Sequence, residues 1–320
     1  MGPVAVAIHG GCGVLPKGEW AEEEWRAARA DLTASLRAGW RVLKAGGSAV
    51  DGVEAAVVVM EDSPWFNAGH GAALNADGEH ELDAAIMDGR TLAAGAVCAA
   101  RALRNPVMAA RAVMEQGQSV LLAGAAADRF AESRGLALAD QAYFTTERRR
   151  RALAVMKQRQ AGGMAEAASE ADKHGTVGAV ALDHAGRLAA ATSTGGFTNK
   201  PPGRVGDSPI IGAGTYARDG VCAVSGTGKG EHFIREVVGH EIASRMRYLG
   251  ETLGDACAAV MAELTRYGSG AGLIALDAAG RVAAPFNTPG MFRGWMTPDG
   301  ELHVGIHEET VRVRPDGERH

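Results

Sequence analysis

The order of apolar and polar residues predicts that the chain begins with one strand and two helices. Residues 4–8, "VAVAI", form an apolar run typical of a short buried strand. Residues 19–47 carry apolar side chains at helical spacing, and Gly46–Gly47 is a typical helix end. A second helix is expected to start at Ser48, with Asp51 three positions later as a variant of the capping box.

Further along the chain, the pattern predicts helices in groups and strands in hairpins. Residues 181–190 and 275–284 match at eight of ten positions, and each predicts a strand, a turn and a second strand. Helices are predicted over residues 104–134, 146–158, 231–247 and 253–266. Because strands and helices do not alternate one by one, the pattern favours an α+β fold in which helices cover antiparallel sheets.

One segment, residues 159–175, is typical of a linker because it is small, polar and poor in β-branched or aromatic residues. On composition alone this segment divides the chain in two. Neither half, however, has a full set of sheet faces and helices of its own. We therefore predict a single domain over residues 1–320.

The composition argues against several classes of protein. Of the 320 residues, 46% are hydrophobic and 22% are charged, which is typical of a soluble globular protein. The net charge of −5 argues against nucleic acid as a partner, and the basic run that begins at Glu147 is interpreted as a solvated helix face. No membrane span or signal peptide is predicted, so we expect a cytoplasmic protein. The widely spaced cysteines predict reduced thiols: Cys12, Cys98, Cys222 and Cys257.

Common motifs for phosphate, metal and dinucleotide binding are incomplete. Residues 223–231, "AVSGTGKGE", are similar to a P-loop, but Ala223 replaces the first glycine and Gly230 replaces the final Ser or Thr. The segment "GHEIAS" lacks the second histidine of a zinc-protease helix. No organic cofactor is therefore predicted.

The junction Gly175–Thr176 separates a loose polar segment from the first strand of a hairpin. Threonine is an ordinary residue at the start of a strand. If the bond before it were cut, however, Thr176 would have a free α-amine beside its hydroxyl, and an α-amine with a pKa near about 8 can act as its base. The absence of a Cβ on Gly175 suits attack at its carbonyl.

Two later loops carry groups suited to binding a small zwitterion. Arg204 and Asp207 stand among glycines and prolines, where they form either an exposed ion pair or a clamp for a carboxylate and an ammonium. In "SGTGKGE", Thr227 and Gly228 could direct a hydroxyl and an N–H at an oxyanion.

Taken together, six segments resemble one family: "HGGCG", "FNAGHGAALNADGEHELDAAIMDG", "GTVGAVALD", "ATSTGGFTNKPPGRVGDSPIIGAGTYA", "SGTGKGE" and "APFNTPGMFRGW". Over nearly the whole chain they resemble the signature segments of the plant-type L-asparaginases, also called isoaspartyl peptidases. These are N-terminal-nucleophile hydrolases that cut themselves before the catalytic threonine. The resemblance implies an αββα four-layer sandwich of two antiparallel sheets flanked by helices, self-cleaved into residues 1–175 and 176–320. It implies hydrolysis of β-aspartyl amide bonds in L-asparagine and isoaspartyl dipeptides.

The resemblance also implies roles for single residues. They are the cleavage pair Gly175 and Thr176, the nucleophile Thr176, its partner Thr194, the α-carboxylate ligand Arg204, the α-ammonium ligand Asp207, and the oxyanion pair Thr227 and Gly228. A structural monovalent cation, Na⁺, is implied in the loop that contains Asn67, held by backbone carbonyls. The implied ligands are Met60, Glu61, Ser63, Phe66, Ala68 and His70. A homodimer of cleaved protomers is also implied.

Three other interpretations remain. Glycosylasparaginases share the cleavage and the "GRVGDS" segment, but the residue before their nucleophile is usually Asp, where this chain has Gly175. A non-catalytic protein of the same fold would be expected to have lost Thr176, Arg204 or Asp207. A nucleotide-binding module is the third alternative, and retention of ATP would support it.

Overall fold

Two β-sheets organise the computed structural model, which describes residues 2–13, 20–162 and 175–313. Within these residues, one sheet has nine strands and the other has four. In chain order the strands are β1 (Ala5–Cys12), β2 (Leu82–Asp88), β3 (Ala94–Ala100), β4 (Leu121–Ala123), β5 (Val177–Leu182), β6 (Leu188–Thr194), β7 (Thr215–Arg218), β8 (Cys222–Gly228), β9 (Ala271–Asp277), β10 (Val282–Ala283), β11 (Met291–Met296), β12 (Leu302–Gly305) and β13 (Thr310–Val313).

Helices pack on these sheets. They are α1 (Glu22–Lys44), α2 (Ala49–Glu61), α3 (Pro106–Gln116), α4 (Ala125–Ser133), α5 (Gln141–Phe144), α6 (Glu147–Ala161), α7 (Gly230–Glu236), α8 (Val238–Ser244) and α9 (Leu253–Arg266), with a π-helix over Arg245–Leu249. The capping box predicted at the start of α2 is confirmed, because the Ser48 hydroxyl accepts the Asp51 N–H and the Asp51 carboxylate accepts the Ser48 N–H.

The nine-stranded sheet combines strands from both sides of Gly175. Its order is β13-β12-β11-β1-β5-β6-β2-β3-β4, and the smaller sheet has the order β10-β9-β8-β7. β1 lies between β11 and β5, and β2 pairs with β6. A cut before Thr176 would therefore leave both pieces hydrogen-bonded within one sheet.

The sheets are antiparallel, as the sequence predicts, except at one edge. β3 and β4 pair in parallel, with Ala96 opposite Leu121. The chain reaches β4 through α3, and a helical crossover is the usual connection between parallel strands.

Apolar packing forms two main cores, one on each face of the nine-stranded sheet. The first lies between this sheet and α1, α2 and α3, and the second lies between the two sheets and extends to α8 and α9. Ala179 belongs to the first core and its neighbour Val180 to the second. Because successive strand residues point to opposite faces, β5 is buried on both sides.

Two of the predicted helical stretches are wrong in detail. Residues 104–134 contain α3, β4 and α4, because Gly117 adopts a left-handed conformation with φ of 70° and ends α3. Residues 231–247 are divided at Val237, whose φ is 48°. In the region predicted as a linker, α6 continues to Ala161, and residues 163–174 lie outside the described residues.

Both predicted hairpins are confirmed as β5–β6 and β9–β10. In each turn an aspartate, Asp183 or Asp277, accepts the N–H groups two and four residues further along the chain through Oδ1. The four cysteines are buried and form no disulfide bond with one another, as predicted. In the parts of the chain that the structure describes, no helix is long and apolar enough to cross a bilayer.

Candidate active site

The junction Gly175–Thr176 lies at the entrance to β5, in the middle of the larger sheet. The register of β5 against β6 places Val177 opposite Ser193, which brings Thr194 beside Thr176. The Thr176 hydroxyl donates to Thr194 Oγ1 at 3.2 Å, and the Thr194 hydroxyl donates to the Gly175 carbonyl at 3.1 Å. Two hydroxyls thus connect Thr176 with the carbonyl that precedes it.

The Asn67 side chain donates a second hydrogen bond to the same carbonyl. Its Nδ2 donates to Gly175 O at 2.6 Å and to Gly196 O at 2.5 Å, while its Oδ1 accepts the Ala73 N–H at 2.6 Å. The Gly175 carbonyl therefore faces two donors, an amide and a hydroxyl. Donors aimed at a carbonyl oxygen stabilise the negative charge that develops when its carbon is attacked.

Close packing around the junction requires two glycines. A Cβ on Gly175 would lie 2.9 Å from Asn67 Cβ. A Cβ on Gly11 would lie 2.8 Å from Gly175 Cα and 2.9 Å from Thr176 N, and the φ of Gly11 is 105°. Gly11 belongs to the "HGGCG" segment, so that segment packs directly against the candidate scissile bond.

A buried hydroxyl network lies behind the junction and was not predicted from the sequence. His9 Nε2 lies 2.9 Å from Ser225 Oγ, which lies 2.7 Å from Thr192 Oγ1. The Thr215 hydroxyl continues the network to Thr192 at 2.7 Å. Burial lowers the pKa of His9 to about 3, an effect that the Thr176 backbone opposes, so the imidazole is neutral at pH 7.

Arg204 is oriented by an acidic and an aromatic neighbour. Its Nε and Nη2 each lie 3.0 Å from Glu231 Oε1, and its guanidinium lies 4.7 Å from the centroid of the Phe197 ring. The Arg204 side chain is 14% exposed and that of Glu231 is 44% exposed. The contact between them is therefore partly screened by solvent.

Asp207 is buried and incompletely hydrogen-bonded. Its Oδ2 has no hydrogen-bond partner among the described residues. Burial raises the pKa of Asp207 to about 7, and the positive charge of Arg204 opposes that shift. A Cβ on Gly230 would lie 2.8 Å from Asp207 Oδ1 and 2.9 Å from Arg204 Nη2, so both charged groups contact the same glycine. The arrangement can receive a ligand that carries an ammonium and a carboxylate.

Thr227 and Gly228 form the end of β8 in the smaller sheet. Thr227 is fully buried, and its Oγ1 accepts the Cys12 N–H at 3.2 Å. Gly228 has φ of 148°, and a Cβ there would lie 2.7 Å from Gly270 O. Because Cys12 follows Gly11, the "HGGCG" segment joins the predicted oxyanion pair to the junction.

Comparisons with known proteins agree with this set of groups. A family model described as asparaginase matches residues 1–306. The chain belongs to the asparaginase family. It is 47% identical over 314 residues to an isoaspartyl peptidase of Escherichia coli, covering 97% of this chain and 98% of the relative. It is 44% identical over 308 residues to a plant-type L-asparaginase of Pyrobaculum calidifontis, covering 94% and 99%. The predicted family, and the prediction that the chain is an enzyme, are confirmed.

In this asparaginase-family chain, the predicted cation loop follows α2 as a series of turns. Five of the six predicted ligand residues are buried: Met60, Glu61, Ser63, Phe66 and Ala68. The Glu61 carbonyl accepts the His70 N–H at 2.7 Å and closes the loop. Within the described residues, no group of three or more His, Cys, Asp or Glu side chains is arranged to hold a metal. A Na⁺ ion held by backbone carbonyls of this loop stays a prediction.

The loop is also held by hydrogen bonds from α6 that do not depend on a metal ion. Arg148, on α6, donates through Nη2 to Pro64 O at 2.8 Å and Trp65 O at 2.9 Å. The Glu61 side chain turns away from the loop, because its Oε1 accepts the Val107 N–H at 3.0 Å. Burial raises the pKa of Glu61 to about 8.

Three residues that contact or support the site were not predicted in that role from the sequence: Asn67, Glu231 and His9. Asn67 was predicted only as a loop residue, and its contact with Gly175 O was not foreseen. Glu231 lies inside the quoted "SGTGKGE" segment, and His9 lies inside "HGGCG". A charged or titratable residue within a glycine-rich segment was the available signal in both cases.

Proposed function

We propose that this chain is a threonine-nucleophile amidohydrolase, which cuts its own Gly175–Thr176 bond and then hydrolyses β-aspartyl amides. The observation that carries the proposal is the hydrogen-bond path from the Thr176 hydroxyl through Thr194 to the Gly175 carbonyl. A strand start without chemical function would not need a buried threonine in this path, and the names of the relatives point to the same reaction class.

In maturation, Thr176 Oγ attacks the Gly175 carbonyl carbon, and the C–N bond to Thr176 breaks. The hydroxyl proton passes to the departing nitrogen, so that an ester and a free amine replace the amide. Asn67 Nδ2 and the Thr194 hydroxyl stabilise the oxyanion that forms on Gly175 O. Water then hydrolyses the ester and gives fragments 1–175 and 176–320.

In turnover, the new α-amine of Thr176 acts as the base for its own hydroxyl, as its pKa near about 8 allows. Arg204 binds the α-carboxylate of the substrate and Asp207 binds its α-ammonium. Thr176 Oγ then attacks the side-chain carbonyl, and Thr227 and Gly228 stabilise the oxyanion. Ammonia or an amino acid leaves, and water releases L-aspartate from the acyl-enzyme.

The clamp explains which substrates fit. L-Asparagine and an isoaspartyl dipeptide both present a free α-carboxylate and a free α-ammonium on one aspartyl unit. An ordinary α-linked Asp-X peptide uses its α-carboxylate in the peptide bond, so it lacks the carboxylate that Arg204 is proposed to bind. Sites with buried polar groups reject ligands that leave those groups without a partner.

The proposal extends to the assembly and the loop. The two sheets and their helices form an αββα four-layer sandwich, and two cleaved protomers form a homodimer. Na⁺ would fix the loop that carries Asn67, and the backbone carbonyls that would hold it are those of Met60, Glu61, Ser63, Phe66, Ala68 and His70. Reaction requires no organic cofactor.

Two measurements test the proposal. Intact mass and N-terminal sequencing of purified protein should give pieces of roughly 18 and 15 kDa, by scaling 33.1 kDa by 175/320, with the second beginning Thr-Val-Gly. Matured enzyme should release aspartate from L-asparagine and β-Asp-Leu but not from α-Asp-Leu. A chain that stays whole, or equal cleavage of the two dipeptide isomers, contradicts the proposal.

A further inference from the structure

Lys200 is fully buried beside the proposed clamp, although lysine is seldom removed from water. Its Nζ donates to the Glu81 carbonyl at 2.9 Å and lies 4.0 Å from Glu81 Oε2. Its aliphatic stem packs on Gly196, where a Cβ would lie 2.7 Å from Lys200 Cδ. A buried ammonium needs compensating negative charge, and Asp83 and Glu81 supply it.

Glu81 in turn contacts the loop that carries Arg204. The Gly203 N–H donates to both Glu81 carboxylate oxygens at 3.0 Å. Gly203 immediately precedes Arg204, so the backbone on that side of the arginine is held by the buried Glu81 carboxylate.

A buried acid near the clamp can also compete for Arg204. Burial raises the pKa of the Asp83 carboxyl, and the positive charges of Lys200 and Arg204 oppose that shift, with Lys200 the stronger. If Lys200 were neutral, Arg204 would be the remaining cation able to compensate Asp83. Its guanidinium would then be drawn from Glu231 toward the interior, because an uncompensated buried charge attracts an available partner.

We propose that Lys200 is a positioning residue for the clamp. Its ammonium compensates the charge of the two acids, so that Glu81 fixes the loop through the Gly203 N–H while Arg204 remains available to the α-carboxylate of the substrate. The inference rests on the proposed function, in which Arg204 binds that carboxylate.

The test compares two product-like inhibitors of the matured enzyme. L-Aspartate and β-alanine differ only in the α-carboxylate, so the ratio of their inhibition constants against L-asparagine hydrolysis measures the contact made by Arg204. Arg204→Ala should reduce this ratio to near one. Lys200→Met should reduce it about tenfold or more, which corresponds to about 1.4 kcal/mol, and should change the constant for β-alanine less than about threefold.

Two further variants separate positioning from general loosening of the structure. Lys200→Met with Asp83→Asn removes the ammonium together with the carboxylate it compensates, and should recover most of the ratio. This variant also carries the test if Lys200→Met alone fails to fold or mature. Lys157→Met, on the exposed face of α6, makes the same substitution away from the cluster and should behave as wild type.

Several results would overturn the inference. Equal weakening of both inhibitors in Lys200→Met would show a merely structural role for Lys200, and so would an unchanged ratio. A low ratio in the charge-balanced double variant would also contradict it. If the wild-type enzyme itself binds L-aspartate and β-alanine equally, the assigned role of Arg204 fails, and that failure is visible without any Lys200 variant.

Discussion

The nucleophile cluster (Asn67, Gly175, Thr176 and Thr194) is held by hydrogen bonds between neutral groups, whereas the clamp (Arg204 and Asp207) is built from ionisable side chains. In the cluster, the Gly175 carbonyl already accepts from Asn67 and Thr194. In the clamp, Asp207 Oδ2 lacks a hydrogen-bond partner among the described residues, and burial raises the pKa of Asp207.

The difference follows from what each region must do. The nucleophile cluster acts on its own chain, so every group it needs is present and can be fixed before the reaction. The clamp receives an external zwitterion, and the charges of that ligand complete it. A buried carboxylate left without a cation is held at a cost, which binding of an ammonium would relieve.

Thr176→Ala tests the cluster at its centre. The variant should remain a single chain and should hydrolyse no L-asparagine, because no hydroxyl remains to attack Gly175 or the substrate. Thr176→Ser keeps the hydroxyl and is the matched control, for which we expect measurable cleavage. Mass spectrometry and an ammonia-release assay check both variants, and a Thr176→Ala protein that still splits before residue 176 would disprove the nucleophile assignment.

Arg204→Ala tests the charged half alone. Loss of the bidentate partner should weaken transition-state binding for L-asparagine by about 2–5 kcal/mol, and kcat/KM should fall by the corresponding factor. Much of this energy is the cost of leaving the ligand carboxylate unpaired. The autocleavage should proceed as in wild type, because Arg204 makes none of the contacts to Gly175. Steady-state kinetics and intact mass are measured on one preparation. Near-normal kcat/KM would mean that the clamp is misassigned.

Asn67→Asp tests the neutral half without removing its side chain. The carboxylate retains an acceptor for the Ala73 N–H but places an oxygen against the carbonyls of Gly175 and Gly196. Loss of an oxyanion donor typically lowers a rate by about 10²–10³-fold, and we expect a slowing of this size in autocleavage.

The control for that variant is Asn75→Asp. Asn75 is also fully buried, and its Oδ1 accepts two backbone N–H groups in a turn. Autocleavage in this variant should keep the wild-type rate. The rate is measured from the appearance of the smaller fragment over time. Equal slowing in both variants would mean that the effect is not specific to the junction.

Asp207 should make folding stability depend on pH, which the neutral cluster should not do. Burial raises the folded-state pKa of Asp207 to about 7 from an ordinary value of 3.8. The folded state then binds a proton that the unfolded state has released, so stability falls as pH rises from about 4 to about 7. The slope is about 1.4 kcal/mol per pH unit for one such proton.

Asp207→Asn should remove this contribution to the pH dependence of folding stability. Denaturant unfolding measures the free energy of unfolding of both forms, with Asp or Asn at position 207, at pH 5 and pH 6. Both carry Thr176→Ala, which keeps the protein as one chain. If the aspartate and asparagine forms lose stability equally between these pH values, the buried carboxyl is not protonated in the folded state.

The sequence alone was sufficient for the features that depend on neighbouring residues. The start of α2 is fixed by Ser48 and Asp51, three positions apart, and both are visible in one short stretch. The change at Gly175–Thr176 is equally local. The six segments that resemble the family were sufficient to predict it. That resemblance also gave the candidate site residues Arg204, Asp207, Thr227 and Gly228.

Contacts between distant parts of the chain could not be predicted in this way. Asn67 and Gly175 are 108 positions apart, and Lys200 and Glu81 are 119 positions apart. Their meeting depends on the order of strands in the larger sheet, where β6 lies beside β2. The break at Val237 and the parallel pair β3–β4 likewise depend on packing partners that local propensity does not encode.

The two matching hairpins separate the two kinds of information. Residues 181–190 and 275–284 form the same turn, because in each an aspartate accepts N–H groups two and four residues on. The second oxygen of Asp183 accepts an N–H at the start of α2, whereas that of Asp277 accepts from an arginine in its own turn. β6 then continues through the centre of the larger sheet to Thr194, beside the candidate nucleophile, and β10 ends after two residues at an edge. Local hydrogen bonding determined the turn, and the position of each strand in its sheet decided which hairpin carries the site.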